Sequence, residues 1–352
     1  MTIDEAKLNA LLGRIVGEFG AIASAPLVIL GDRLGLYKAM AGSGPMTADE
    51  ISEKCGIRLR YAQEWLNAQA ASGFIDYDPA KQTFDLSPEA AMALADDDSP
   101  ACMLGGFDVL MSFYHDIDKV ERVFRSGSGL GWHEHHPALF AGTERFFRPG
   151  YNANLESSWI PALEGMKERL QSGARVADVG CGFGASTIVM AKAWPKSTFI
   201  GYDNHPPSIQ TARERAHAAG VGDRVTFEVA PAKSYPGRDF DLVAFFDCLH
   251  DMGDPVGVAT HVRGTLADDG AWMLVELFAN DRLEDNLNPV GRVYYSASTM
   301  VCTPCSLSQE VALGLGAQAG EARLRDVAER GGFKHFRRAA ETPFNLVFEA
   351  RA

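Results

Sequence analysis

A disulfide framework, a basic charge balance and a long uncharged apolar run are all missing from this sequence. Six cysteines, at 55, 102, 181, 248, 302 and 305, are scattered over 352 residues. That is too sparse to staple a secreted domain, so a reducing, cytoplasmic setting is expected. Lysine and arginine number 33 against 46 aspartate and glutamate, a net charge of −13. Nucleic-acid backbones must be met by clustered Lys and Arg, so no nucleic-acid binder is expected. No stretch reaches 18 uncharged apolar residues, and Met1–Glu5 leads into no basic-then-apolar leader, so no membrane span or targeting segment is expected. Internal repeats and low-complexity tracts are absent too.

What is present is an ordinary globular balance, 46% apolar and 22% charged, in a chain long enough for two domains. Residues 1–100 form a first unit. Ala21 to Met40 reads as helix, Thr47 and Glu50 make a capping box for a short helix ending at Gly56, and Leu59 to Ala71 carries Tyr61, Trp65 and Ala68 at helical spacing. Two short strands around Tyr77 and Phe84 follow. Three helices and a hairpin are the order of a winged helix. Its charge argues against DNA: residues 1–100 hold 8 Lys/Arg and 15 Asp/Glu. Packing or dimerisation is the expected role, and the chain is expected to form a homodimer through it.

Residues 101–170 read as a helical connector and pocket cover, with a loop around Trp132–Pro137 and a helix from Tyr151 to Leu170. From 171 to 352 the pattern alternates strand and helix, the signature of a parallel sheet with crossover helices. Strands are expected at Val176–Val179, Thr198–Tyr202, Val225–Val229, Phe240–Phe246, Ala271–Glu276 and Asn345–Glu349. An irregular lid insertion is expected at about 277–306 and a helical stretch over 308–330.

Asp178-Val179-Gly180-Cys181-Gly182-Phe183-Gly184 follows a strand and opens a helix. Gly180 permits a sharp turn, Gly182 a close backbone approach to a ligand, and Gly184 tight entry into the helix. Asp203, ending the next strand, can take both hydroxyls of a ribose or can cap the following helix. The spacing is Gly-x-Gly-x-Gly rather than Gly-x-Gly-x-x-Gly. An acid before the loop suits a cationic sulfonium and ammonium better than a pyrophosphate.

This run resembles the first motif of the class I S-adenosylmethionine-dependent methyltransferases. Asp203 is similar to their ribose-binding acid, Phe240–Val243 to their fourth-strand motif, and Gly331-Gly332-Phe333 to the pattern before their last strands. The N-terminal unit resembles the winged-helix domain of small-molecule O-methyltransferases. The resemblance implies a Rossmann-like α/β domain of seven strands behind a winged-helix-like α+β domain and a helical connector. It implies S-adenosylmethionine as cofactor, with Asp178, Gly180, Gly182, Gly184, Asp203, Asn204, Ala232, Asp247, Cys248 and Tyr151 around it. The acid that such enzymes often carry after the third strand is replaced here by Ala230-Pro231-Ala232-Lys233.

Methyl transfer from a sulfonium needs alignment of nucleophile, methyl and sulfur, and a group to take a proton. The candidates are His133 and His136 in the connector loop, Tyr295 in the insertion, and His250. The resemblance of Leu249-His250-Asp251 to the Leu-His-Asp segment of that family makes His250 a pocket or structural residue first and a base second. Cys302 and Cys305 read as two thiols near the lid, and no metal is expected. The function implied is methyl transfer to a small, aromatic or hydrophobic acceptor. The alternative is a regulatory protein that binds the cofactor and uses its winged helix on a partner or DNA.

Overall fold

A computed structural model describes residues 3–352. Its contacts divide the chain into two units, one of residues up to 111 with 138–149, the other of residues 112–137 with 150–352. The connector expected over 101–170 is therefore shared between them.

The first unit begins with helix α1, Glu5–Arg33, whose N-cap Asp4 accepts from Lys7 N at 3.1 Å. Helix was expected only from Ala21, although Leu8, Leu12, Val16 and Phe19 upstream already recur at helical spacing. By length and composition α1 is apolar enough to cross a membrane once two charges are tolerated in the window, a pattern that a search for uncharged stretches passes over. Then come α2 (Leu36–Met40), α3 (Ala48–Cys55) and α4 (Leu59–Ala71). The capping box forms: Glu50 N donates to Thr47 Oγ1 and Thr47 N donates to Glu50 Oε2. Strands β1 (Asp76–Asp78) and β2 (Thr83–Asp85) pair antiparallel, and α5 (Pro88–Leu94) follows. Tyr37 and Trp65 meet edge to face at 5.1 Å in the core. Gly31 leaves room for them, since a Cβ there would lie 2.5 Å from the Trp65 ring. Helices α6 (Leu104–Ser126) and α7 (Ala138–Asn154) each begin or end in this unit. Arg145 of α7 binds Asp32 through two nitrogens and Asp97 through two more contacts of 2.6 and 2.9 Å.

The second unit starts, after a π-helical turn at Leu155–Trp159, with α8 (Met166–Ser172). The continuous helix expected from Tyr151 to Leu170 is thus broken, at Pro161 and Gly165. Five strands follow with their helices: β3 (Arg175–Val179), α9 (Ala185–Ala193), β4 (Thr198–Asp203), α10 (Pro206–Ala218), β5 (Val225–Val229), β6 (Phe240–Phe246), α11 (Pro255–Thr265) and β7 (Leu266–Leu277). The insertion is helical rather than irregular, with α12 (Pro289–Ala297), a π-helical stretch Ser298–Cys302 and α13 (Thr303–Leu307). Asn288 caps α12 by accepting from Gly291 N at 2.8 Å, with Pro289 in its first turn. Helix α14 covers only Gly320–Arg330 of the expected 308–330, and β8 (His335–Glu341) and β9 (Asn345–Arg351) close the sheet.

The sheet order is β5-β4-β3-β6-β7-β9-β8, with β9 alone running antiparallel to its neighbours. The central strands are buried on both faces: β6 from Leu242 to Phe246 and β7 from Gly270 to Leu277 are without an exposed residue, which explains their unbroken apolar sequence. The order reverses between β3 and β6. In open α/β sheets a ligand binds outside the carboxyl ends of the strands at such a point.

Candidate active site

The glycine loop, Asp203 and Asp247-Cys248 all sit at that edge, following or ending β3, β4 and β6. Gly180, Gly182 and Gly184 all have positive φ, +75°, +52° and +77°. A Cβ on Gly180 would meet Cys248 Sγ at 2.6 Å, and one on Gly184 the Phe227 ring at 2.7 Å. At Gly182 a Cβ would meet nothing within 4 Å. Packing demands the outer two glycines. The middle one faces open space, as a backbone that receives a ligand does.

Three carboxylates surround this bend. Asp178, fully buried, accepts from Ser186 and Thr187 hydroxyls, both at 2.6 Å, through Oδ2. Its Oδ1 is buried without a hydrogen-bond partner. Burial pushes its pKa up to about 6, against those two hydroxyls. Asp203 accepts from Gly182 N at 2.9 Å and from His205 N at 2.8 Å, and burial raises its pKa. The first of these bonds ties the acid to the glycine bend; the second steadies the entry to α10. Asp247 holds φ at +52°, a strained position for a residue with a Cβ. It accepts from Tyr151 Oη at 3.1 Å and Asn345 Nδ2 at 2.7 Å. Burial, then the charge of Glu276, raises its pKa to about 8. Cys248 Sγ donates to Val179 O at 3.3 Å, tying the end of β6 to β3. Asn204 is exposed and Ala232 half-buried beyond the end of β5. The cradle thus gathers Asp178, the three glycines, Asp203, Asp247, Cys248 and Tyr151.

The four base candidates stand in different surroundings. His133 is exposed. His136 stacks on His115 at 4.0 Å, and its backbone N donates to Asp116. Tyr295 is half-buried, whereas its neighbour Tyr294 is buried and donates to Phe344 O at 3.0 Å. His250 is different. It is buried, its Nδ1 is hydrogen-bonded to Glu276, and Glu276 also accepts from Leu249 N at 2.9 Å. Glu276 had a signal in the sequence, a lone acid inside the apolar run Trp272–Leu277, that motif matching passed over. A second pair was also missed. His135 Nδ1 lies 3.0 Å from Asp116 Oδ2, both side chains at most 2% exposed, and Lys119 Nζ is 2.7 Å from Asp116 Oδ1. Burial lowers the His135 pKa despite that carboxylate.

The surroundings suit a cation. The hydrogen bonds to Asp178, Asp203 and Asp247 come from hydroxyls, backbone N–H groups and one carboxamide, so a cationic ligand would meet carboxylates whose ionised forms it favours. A sulfonium with an ammonium fits this donor set, and a pyrophosphate would be repelled by it.

Residues 170–322 match a family model described as a methyltransferase domain, and residues 22–96 one described as an Rv2258c-like winged HTH domain. The chain is 39% identical over 70 residues to trans-aconitate 2-methyltransferase of Streptomyces coelicolor, a match covering 20% of this chain and 23% of that protein. The chain thus matches about a quarter of that curated relative's length. Among solved structures, an O-methyltransferase family protein from Burkholderia thailandensis superposes with a TM-score of 0.70 at 16% identity, over 100% of this chain and 99% of that one. Mitomycin 7-O-methyltransferase does so with a TM-score of 0.71 at 17% identity, over 99% and 100%.

Proposed function

The chain has the class I S-adenosylmethionine-dependent methyltransferase fold behind a winged-helix domain, and from that premise we propose that it transfers the methyl group of S-adenosylmethionine to a small acceptor with a hydrophobic body. The observation that carries this reading is the group of three carboxylates, buried Asp178 with half-buried Asp203 and Asp247, around the open backbone at Gly182. S-adenosylmethionine supplies an activated methyl on a cationic sulfur. Asp203 would hold the ribose hydroxyls, the loop from Gly180 to Gly184 the backbone side of the cofactor, and Asp178 Oδ1 the ammonium. Tyr151 and Asp247, joined by their hydrogen bond, would wall the methionine end. Adenine would rest against Ala230–Ala232, recognised by backbone groups in the absence of an acid there.

For an acceptor that must lose a proton, His250 is the best-supported base. Its Nδ1 is held by a carboxylate, which fixes the ring and orients Nε2, the logic of an imidazole steadied by an acid. His133 is exposed and Tyr295 half-buried, whereas His250 is enclosed together with its acid.

The chain acts, in this reading, as a homodimer through its first unit. Leu8, Leu12, Val16 and Phe19 of α1 recur every three or four residues and are 42–67% exposed. A DNA role for the winged helix draws no support from α4, where Arg60 is paired with Glu64.

The test is a screen of metabolite extracts with methyl-labelled S-adenosylmethionine and purified protein. A labelled small molecule formed by the native chain, and not by the Asp203→Ala variant, supports the proposal. No labelled product from any extract, despite measurable cofactor binding, would favour a regulatory role.

A further inference from the structure

His250 Nδ1 is taken by Glu276, so Nε2 is the nitrogen left to bind something else. It lies 3.3 Å from Asp251 Oδ1, an oxygen buried without a hydrogen-bond partner. Cys302, at the end of the π-helical stretch between α12 and α13, brings its thiol to the same place. The three donor atoms lie within 4.8 Å of one another, on residues that are buried or half-buried. We propose that His250 Nε2, Asp251 Oδ1 and Cys302 Sγ bind one divalent cation of the zinc class, with a fourth position open.

The donor chemistry selects the ion. Imidazole, carboxylate and thiolate together suit a borderline-soft metal such as zinc or cobalt, whereas magnesium and calcium prefer oxygen alone. The separation fits as well. With metal–nitrogen and metal–oxygen bonds of about 2.0–2.1 Å in a tetrahedron, the two ligand atoms stand about 3.3 Å apart, the spacing found between His250 and Asp251. Glu276 supplies the outer carboxylate that metal-binding histidines commonly hold with their second nitrogen, which fixes the ring and strengthens the ligand.

Charge points the same way. Without an ion, the Asp251 and Glu276 carboxylates face a single imidazole in the interior. Binding displaces the thiol proton and any proton on Nε2 to solvent. A doubly charged ion is then balanced by the Asp251 carboxylate and the Cys302 thiolate, and neutral His250 keeps its Nδ1 proton toward Glu276. An ion on Nε2 also withdraws that nitrogen as a proton acceptor, so metal loading silences base-dependent methyl transfer. That consequence rests on the base assignment above; the site itself does not.

The full chain, free of any histidine tag and kept in a phosphine reductant, is loaded with Zn2+ or Co2+ and freed of excess by gel filtration. The expected result is about one equivalent per chain, with a near-ultraviolet thiolate-to-cobalt band. Cys302→Ser should abolish the band, and both it and Asp251→Asn should weaken binding by more than the roughly 10–100-fold that loss of an outer-shell partner costs. Circular dichroism checks the fold of each variant, and if one fails the other decides. The double variant His133→Gln/His136→Gln should keep the metal. Retention well below one equivalent, a cobalt band that survives Cys302→Ser, or loss of metal in the His133/His136 variant would overturn the proposal. Calorimetry with S-adenosylhomocysteine on the same samples reads the cofactor pocket separately, so failure of the metal site and failure of the methyltransferase reading are told apart.

Discussion

The His250 imidazole and the Glu276 carboxylate face each other in the core of the second unit, each side chain 3% exposed. Burial alone would lower the imidazole's pKa; Glu276 and then Asp251 reverse this and hold it well above its usual value. The charged form of the ring is therefore favoured, and it becomes a base as pH rises. Transfer to an acceptor that must be deprotonated should climb with pH above the ordinary imidazole range of about 6.5. Glu276→Gln removes the main support of the charged form, so the rising limb should move to lower pH while kcat falls. The stability contribution has the matching sign. It is complete below the unfolded histidine's pKa and is lost as pH climbs through the raised folded value. A pH–rate profile of both proteins decides the matter; superimposable limbs would remove His250 from the proton transfer.

The carboxylates of the cradle carry a second pH dependence. Burial holds Asp178 at about 6 and burial with Glu276 holds Asp247 at about 8, both above the unfolded value of about 3.9. A bound cation favours their ionised forms, so binding S-adenosylmethionine should release protons and tighten between pH 5.5 and 8.5. The uncharged sulfur of S-adenosylhomocysteine should gain less. Calorimetry in buffers of different ionisation enthalpy counts the protons directly. Equal pH dependence for the two ligands would mean that the carboxylates do not sense the sulfonium.

Asp203 and Gly182 make a separable pair of tests. Asp203→Ala removes a half-buried acid that also accepts from Gly182 N, and should weaken S-adenosylhomocysteine binding by about 1–3 kcal/mol, the scale of hydrogen bonds to a charged group. Gly182→Val places a branched side chain at a φ of +52°, in the open space at the bend, and should abolish binding while the chain stays folded. Unchanged affinity in either variant, read by calorimetry, would move the cofactor elsewhere.

The central sheet was legible because apolar runs bounded by turn residues are long where a strand is buried on both faces. Phe240–Phe246 was expected at its observed limits, and so was the edge strand Val225–Val229, whose apolar and polar residues alternate instead. β8 was missed for the converse reason: an edge strand with one of seven residues buried carries no apolar run. The insertion was read as irregular although Asn288-Pro289, an Asn cap with Pro in the first turn, is a helix-start signal. The glycine loop and Asp203 could be named because their spacing is local. The groupings His250–Glu276, Asp116–His135 and Asp251–Cys302 could not. Each joins residues 19 to 51 positions apart, from different elements, and only the fold brings them together.

Arg145 anchors three acids of the first unit, Asp32, Asp97 and Asp108, with its side chain 20% exposed. Its pKa lies above its usual value, chiefly through Asp32. Arg145→Ala leaves those carboxylates crowded, with Lys38 still on Asp97 at 2.8 Å, and should cost about 2–4 kcal/mol. Arg145→Lys should recover little, because one ammonium cannot reproduce the two-nitrogen grip on Asp32. Chemical denaturation measures both variants, and a loss under about 0.5 kcal/mol, the scale of ordinary surface substitutions, would refute the anchoring role.

The apolar row on α1 has to be covered by something, because exposed apolar patches of that extent are uncommon on monomeric soluble proteins. A second copy and a bilayer are the two candidates, since α1 also meets the length and composition of a membrane span. Arg14 and Glu18 interrupt the row's neighbourhood at mid-helix, where a charge in lipid costs about 2.5–3.5 kcal/mol and a charge at the rim of a protein interface costs little. Light scattering after gel filtration should therefore give twice the chain mass in detergent-free buffer. Val16→Glu with Phe19→Glu should give one chain mass and leave the melting of the second unit unchanged. Vesicles of neutral phosphatidylcholine should not carry the native protein upward in a flotation gradient. A monomer that floats with them would assign α1 to the membrane and end the dimer proposal.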